Sequence, residues 1–259
     1  MNTRYIGIVL LFLLITTPIH AEVVSETITY EHNGQVLEGF LAYNDGIPGK
    51  RPGVLVVHEW WGLNDYARSR VRQLARLGYV AFALDMYGKG MVTTHPSQAA
   101  DWMNAISQNI SLWQERASAG LEILLRQPRV DKTRIAAIGY CFGGATVQQL
   151  AYTGATLRGV VSFHGQPIAP SQEQIQRVGA KILLFHGAAD PFVKVEQLNR
   201  YIAAMNPSGL DWQMISYGGA KHSFTNPDAD KTGIPALAYN RSADQRSWLH
   251  MRVFFDEIF

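Results

Sequence analysis

The chain has a single cysteine, Cys141, in 259 residues. An internal disulfide is therefore excluded, and so is any metal site built from several thiolates. Charge is sparse: Asp, Glu, Lys and Arg make up 17% of the residues, 23 basic against 21 acidic, and no run of one sign occurs. That balance disfavours an electrostatic surface for nucleic acid, and no nucleic-acid partner is expected. No His-Glu-x-x-His and no close His pair is present, so no metal is expected. Gly143-Gly144 and Gly218-Gly219 lack the Gly-Lys-Ser/Thr continuation of a phosphate loop. Asn109-Ile110-Ser111 and Asn240-Arg241-Ser242 match the glycosylation sequon, which matters only in a eukaryotic secretory route.

What is abundant is apolar residue, 47% of the chain, enough for a packed core and too much for disorder. Residues 1–21 read as a secretory signal peptide: Arg4 supplies the positive start, and Ile6–Ile15 is an apolar stretch shorter than the ~20 residues that span a bilayer. Thr16, Thr17 and Pro18 break it, and Ala21 offers a small residue at the cleavage point, although Ile19 stands where a smaller residue is usual. The alternative is a retained anchor helix. Removal leaves residues 22–259 as one domain with a charge balance of +1, no stable membrane span, and a periplasmic or secreted location.

Apolar patterning predicts eight strands: Val23–Tyr30, Gln35–Tyr43, Gly53–Val57, Tyr79–Leu84, Arg134–Ile138, Gly159–Phe163, Ile182–Phe185 and Trp212–Tyr217. His32-Asn33-Gly34 turns the first two into an antiparallel hairpin. Helical spacing recurs at Asn64–Leu77, Ala99–Leu125, Ala145–Tyr152, Gln172–Arg177, Val195–Ala204 and Ala243–Phe259. Strands alternating with helices predict an open, mostly parallel α/β sheet with helices on both faces. Reactive groups in such a sheet gather beyond the carboxyl ends of the strands.

Four strand ends hold candidates. Gly139-Tyr140-Cys141-Phe142-Gly143 follows one strand and precedes a helix, the context of a nucleophile elbow. A helix N-terminus favours a thiolate there; a buried structural cysteine in a Gly-rich turn is the alternative. Asp190 follows another strand and either orients an imidazole or caps the next helix. His222 lies on the Gly-rich loop past the last strand. Nucleophile, acid, then His is the chain order of α/β-hydrolases, which makes Cys141, Asp190 and His222 one catalytic set, with Asp85 as the rival acid. Glu59 and Trp60 follow the first parallel strand. In this fold the amides of Trp60 and Phe142 are the expected oxyanion donors. Trp61, Tyr87, Lys89, Tyr140, His164 and Phe224 are candidates for the wall of a substrate pocket.

These residues resemble the dienelactone hydrolases (carboxymethylenebutenolidases), a cysteine branch of the α/β-hydrolases. The likeness spans nearly all of residues 22–259. It rests on His58-Glu59-Trp60-Trp61-Gly62, Asp85-Met86-Tyr87-Gly88, Gly139-Tyr140-Cys141-Phe142-Gly143-Gly144, Phe163-His164-Gly165, His186-Gly187-Ala188-Ala189-Asp190 and His222-Ser223-Phe224. The resemblance implies hydrolysis of a small-molecule ester or lactone through an acyl-enzyme, with no cofactor. It also implies that Glu59 contacts the thiol in the resting enzyme and is displaced by substrate. Two substrate-binding arginines of the family are missing: Lys89 follows the Asp-x-Tyr segment, and Asn226 stands four residues past His222. A lone Lys is a point charge, not a bidentate fork, so dienelactone is in doubt as the substrate while the acyl chemistry is not. The alternatives are a broad acyl esterase or thioesterase and, outside enzymes, a binding protein or a thiol sensor at Cys141 on the same fold.

The leader yields a direct expectation. Intact-mass analysis of protein from the periplasmic fraction should show a chain beginning near Glu22; a full-length, membrane-bound product would mean that the segment is an anchor.

Overall fold

The computed structural model describes residues 22–259; the expected leader, 1–21, lies outside them. The strands are β1 (Val23–His32), β2 (Gln35–Asn44), β3 (Arg51–Val57), β4 (Val80–Leu84), β5 (Val130–Tyr140), β6 (Gly159–Phe163), β7 (Lys181–Gly187) and β8 (Trp212–Tyr217). The α-helices are α1 (Asp65–Arg76), α2 (Pro96–Ser107), α3 (Ile110–Leu125), α4 (Phe142–Tyr152), α5 (Gln172–Arg177), α6 (Val195–Met205) and α7 (Arg241–Ile258). The strands form one sheet in the order β1-β2-β4-β3-β5-β6-β7-β8. β1 pairs antiparallel with β2, and β2 with β4, while β4 through β8 pair in parallel. This is the α/β-hydrolase architecture that the alternation of strands and helices predicts.

Side chains on each strand alternate between two cores. Leu55, Val57, Phe82, Leu84, Ala137, Val160 and Leu184 pack on the face covered by α3, α4 and α6. Val54, Val56, Ala81, Ile138, Val161 and Leu183 pack on the face covered by α1 and α7. Burial on both faces is why the central strands read as unbroken apolar runs. Among the described residues no helix is long and apolar enough to cross a membrane.

Three of the boundaries that differ from the sequence expectation have a physical reason. The helical pattern Ala99–Leu125, which leaves room for a break, is two helices: α2 ends at Ser107, and Asn109 starts α3 by accepting the Leu112 amide on Oδ1 at 3.1 Å. β5 begins at Val130, four residues earlier than its apolar run, because Arg51 and Pro52 of β3 pair with Val130 and Asp131 ahead of a register shift. Helix α4 begins at Phe142, immediately after the cysteine, not at Ala145.

This last boundary positions the site. β3 leads to its left neighbour β4, whereas β5 leads to its right neighbour β6, so the crossovers change direction between β3 and β5. Such a switch point opens a crevice beyond the strand ends, and Cys141 stands at its rim. The chain passes from β5 into α4 through Cys141 alone, at φ 55°, ψ −117°. A Cβ at Gly139 would lie 2.0 Å from the Gly143 carbonyl oxygen, and one at Gly143 would lie 2.2 Å from that of Val57. Only glycine fits at either position.

Candidate active site

The side chains that converge here come from the ends of β3, β5, β7 and β8. His222 lies on the loop after β8 and is 5% exposed; Asp190 follows β7 and is 6% exposed. His222 Nδ1 hydrogen-bonds Asp190 Oδ2 at 2.7 Å. The other carboxylate oxygen accepts the Phe192 amide at 2.9 Å, which fixes the plane of the acid. With Nδ1 committed to the carboxylate, Nε2 is the nitrogen left for chemistry. Cys141 and His222 share the wall of one cavity.

Burial opposes a charged imidazole at His222. Electrostatic and hydrogen-bonding interactions with Cys141 and Asp190 outweigh it, and the pKa is pushed up to about 10. A pKa raised in the folded state stabilises the fold fully below the ordinary value of 6.5, and that contribution is lost as pH rises through about 10.

Glu59 follows β3 and is 2% exposed. Its carboxylate does not rest on the thiol, as the resemblance implies for a resting enzyme. Oε1 accepts from the Ser223 hydroxyl and Oε2 from the Asn226 amide, each at 2.7 Å. Both donors belong to the loop of His222, so Glu59 ties that loop to the end of β3. Burial raises the Glu59 pKa, while these two hydrogen bonds and the nearby charges of His222 and Arg70 favour the anion. Asn226, in place of an arginine, thus serves the protein's own carboxylate. The neighbouring His58 is also committed internally: Nδ1 contacts the Glu59 carbonyl at 2.5 Å and Nε2 accepts the Met86 amide at 3.2 Å.

Trp60, Cys141 and Phe142 line the same cavity. Phe142 is the first residue of α4, where an amide has no intrahelical acceptor. Among the described residues neither the Trp60 amide nor the Phe142 amide is paired with a backbone acceptor.

The cavity measures about 400 Å³ and is mostly apolar, with Trp60, Met103, Trp113, Phe142, Ala145, Phe192 and Leu237 in its wall beside Cys141 and His222. Asn104, Ser107 and Gln166 are its remaining polar members, and no charged Lys, Arg, Asp or Glu lines it. Trp60 and Phe142, which flank the motifs, line it as the sequence suggests, but Trp61, Tyr87, Lys89, Tyr140, His164 and Phe224 do not. Lys89 is exposed and pairs with Glu38 at 3.0 Å. Tyr140 points with Ile138 to the opposite face of the sheet and stacks on Phe163, because alternate residues of a strand share a face. Phe224 is buried in that same core. Trp61 and Tyr87 lie one layer back, against Trp60 and Phe142 respectively. His164 is buried and bonded within the protein, described below.

Asp85 is not near His222 in the bonding scheme. It accepts backbone amides from Tyr87 at 2.9 Å, Gly88 at 3.0 Å and Glu38 at 3.1 Å, so its work is to hold a turn. Sequence inspection missed Ser223 and Asn226 as partners of Glu59, and most of the cavity wall. Gln166 and Phe192 follow strand ends and were within reach of the strand-end rule; Met103, Asn104, Ser107 and Trp113 come from helices whose placement over the sheet no local pattern reveals.

Comparison with known proteins finds relatives over nearly the whole chain. The model of the dienelactone hydrolase family matches residues 37–259. A protein of Saccharolobus solfataricus, provisionally named a carboxymethylenebutenolidase, is 26% identical over 264 residues, covering 89% of this chain and 98% of its own. The crystal structure of a dienelactone hydrolase-like promiscuous phosphotriesterase from metagenomic libraries superposes with a TM-score of 0.89 at 38% identity, covering 92% of this chain and 99% of that one. A structure titled m3DLH gives 0.88 at 40% identity over the same shares.

The two acids make opposite predictions. Asp190→Asn should fold but lose kcat by roughly 10²–10⁴-fold, since His222 loses the partner that sets its tautomer. Asp85→Asn should keep kcat and lower Tm, since one amide cannot accept three backbone donors as a carboxylate does. Steady-state kinetics and thermal melts check both; a reversal of the two kinetic losses would refute the assignment of Asp190.

Proposed function

The chain belongs to the dienelactone hydrolase family, and from that membership and the geometry of the site we propose that it hydrolyses neutral carboxylic esters or lactones through a Cys141–His222–Asp190 triad. The supporting observation is the pairing of a single thiol with an Asp-bound imidazole on the wall of an apolar cavity that, among the described residues, no Lys or Arg lines.

In this reading the thiolate of Cys141 attacks the substrate carbonyl, and the amides of Trp60 and Phe142 hold the oxyanion. The tetrahedral intermediate collapses to a thioester. The leaving alkoxide takes its proton from the His222 imidazolium. Water then gives a proton to His222 and attacks the thioester. The acid departs, and the thiol is restored with that proton. Asp190 keeps His222 in the tautomer that serves both steps. Every proton is accounted for by the triad and water, so no cofactor is called for. Glu59, held by Ser223 and Asn226, fixes the His222 loop in this state. An exported location, periplasmic or extracellular, belongs to the same proposal and rests on the leader sequence.

A second substrate class fits the same cavity. A neutral phosphotriester also needs a nucleophile and an oxyanion hole but no cationic clamp, and the 38%-identical relative is named a promiscuous phosphotriesterase. A broad acyl esterase or thioesterase uses the same residues and differs only in the group the cavity receives.

Substrate charge is the discriminating test. Neutral p-nitrophenyl esters should exceed dienelactone, which bears a carboxylate, in kcat/KM, because no bidentate cation faces the cavity. Lys89→Ala should leave both values within about twofold, as expected of an exposed ion pair. A strong preference for dienelactone that collapses in Lys89→Ala would overturn the proposal for neutral substrates.

A further inference from the structure

Cys141 is not alone in its backbone strain. His164 (φ 42°) and Ser223 (φ 55°) are also non-glycine residues at positive φ, and both adjoin the site. Such conformations are costly and persist only where the surroundings over-determine them. The surroundings here are a buried chain of hydrogen bonds. The Cys141 amide donates to the Phe163 carbonyl at 3.0 Å and to His164 Nδ1 at 3.1 Å. Since Nδ1 accepts, the ring hydrogen of His164 is on Nε2, which donates to Thr225 Oγ1 at 2.6 Å. Thr225 Oγ1 lies 2.6 Å from the Tyr66 phenol oxygen. Arg70 closes the chain: Nε donates to that phenol at 3.4 Å, and Nη2 donates to the Thr225 carbonyl at 2.6 Å and to Asp244 at 2.5 Å.

His164 is 1% exposed, Thr225 0% and Arg70 5%, so the bond between His164 and Thr225 is sheltered from water, whereas Tyr66 and Asp244 at the far end are half-buried. Burial, helped by the positive charges of His222 and Arg70, keeps the imidazole of His164 neutral and Nδ1 an acceptor. His164 does not line the substrate cavity. Its two nitrogens instead reach two different loops. One holds the nucleophile, and the other holds the residue three places past the catalytic histidine.

We propose that His164 is a positioning residue, a clamp that joins the Cys141 turn to the His222 loop through Thr225 and holds thiol and imidazole in reacting register. The proposal rests on the reading of Cys141 as the nucleophile. A histidine that merely filled the core would affect stability without affecting the chemical step.

The test uses two sets of variants. His164→Ala removes both bonds. His164→Asn keeps an acceptor where Nδ1 stands and tolerates positive φ, and His164→Gln keeps an N–H near Nε2. Thr225→Val removes the hydroxyl and keeps the shape, whereas Thr225→Ser keeps the hydroxyl. With a neutral p-nitrophenyl ester, His164→Ala and Thr225→Val should lose roughly 10–100-fold in kcat with KM little changed, the pattern of a misplaced reacting group. His164→Asn, His164→Gln and Thr225→Ser should each recover part of that loss. Iodoacetamide alkylation of Cys141, followed by intact mass, reads the same register without turnover, because the chain has one cysteine; it should slow in His164→Ala and Thr225→Val. If His164→Ala does not fold, the Thr225 pair decides. Unchanged kcat and alkylation in Thr225→Val, or a loss confined to KM, would overturn the clamp. An absence of ester turnover in the wild-type protein would sink the proposed function instead, and the alkylation rates would still decide on the clamp.

Discussion

The chain turns from strand into helix through one residue, Cys141, with no room for a side chain at Gly139 or Gly143, and the rest of the site follows from that turn. The close approach of Gly143 to the Val57 carbonyl brings the start of α4 against the end of β3. That contact brings Phe142 and Trp60, from distant segments, to the wall of the cavity that Cys141 shares. A larger residue at 143 would separate the strands at the switch point and dismantle the nucleophile and its donors together. The strain is local, but it is sustained by the packed core on both faces and by the bonds that reach Cys141 from His164 and Phe163.

The loop of His222 faces a complementary problem. It sits above two buried carboxylates, Asp190 and Glu59, and an isolated buried charge is costly. Each carboxylate is satisfied on both oxygens: Asp190 by His222 and the Phe192 amide, Glu59 by Ser223 and Asn226. All of these except Phe192 lie within five residues of one another in the chain. The loop is therefore fixed by the same groups that ready it for proton transfer. Asn226 links this arrangement to substrate choice. The asparagine is spent on Glu59, and among the described residues no Lys or Arg lines the cavity.

Much of this was legible in the sequence, for identifiable reasons. Parallel strands buried on both faces are continuous apolar runs, and the catalytic candidates sit where such runs stop. The break between α2 and α3 was written at Asn109, a helix-capping residue within a segment that also matches a glycosylation sequon, and the cap is its structural role. The true start of α4 was hidden because Gly143 and Gly144 are poor helix formers whose presence is dictated by close packing. The cavity wall was the least legible part. Of the aromatic residues near the motifs, Trp60 and Phe142 line the cavity but Tyr140 and Phe224 face the other core, and part of the wall comes from α2 and α3, which reach the site only through tertiary packing. The partners of Glu59 were equally hidden: the resemblance directed that carboxylate to the thiol, and only the fold shows Ser223 and Asn226 within its reach.

The central claim is that one thiol performs the chemistry. The rate of neutral p-nitrophenyl ester hydrolysis by Cys141→Ala, beside a thermal melt showing that it folds, tests it most directly. The account predicts a fall of roughly 10³-fold or more, to what binding and the oxyanion donors supply alone. Wild-type turnover in that variant would contradict it, because the chain contains no second cysteine.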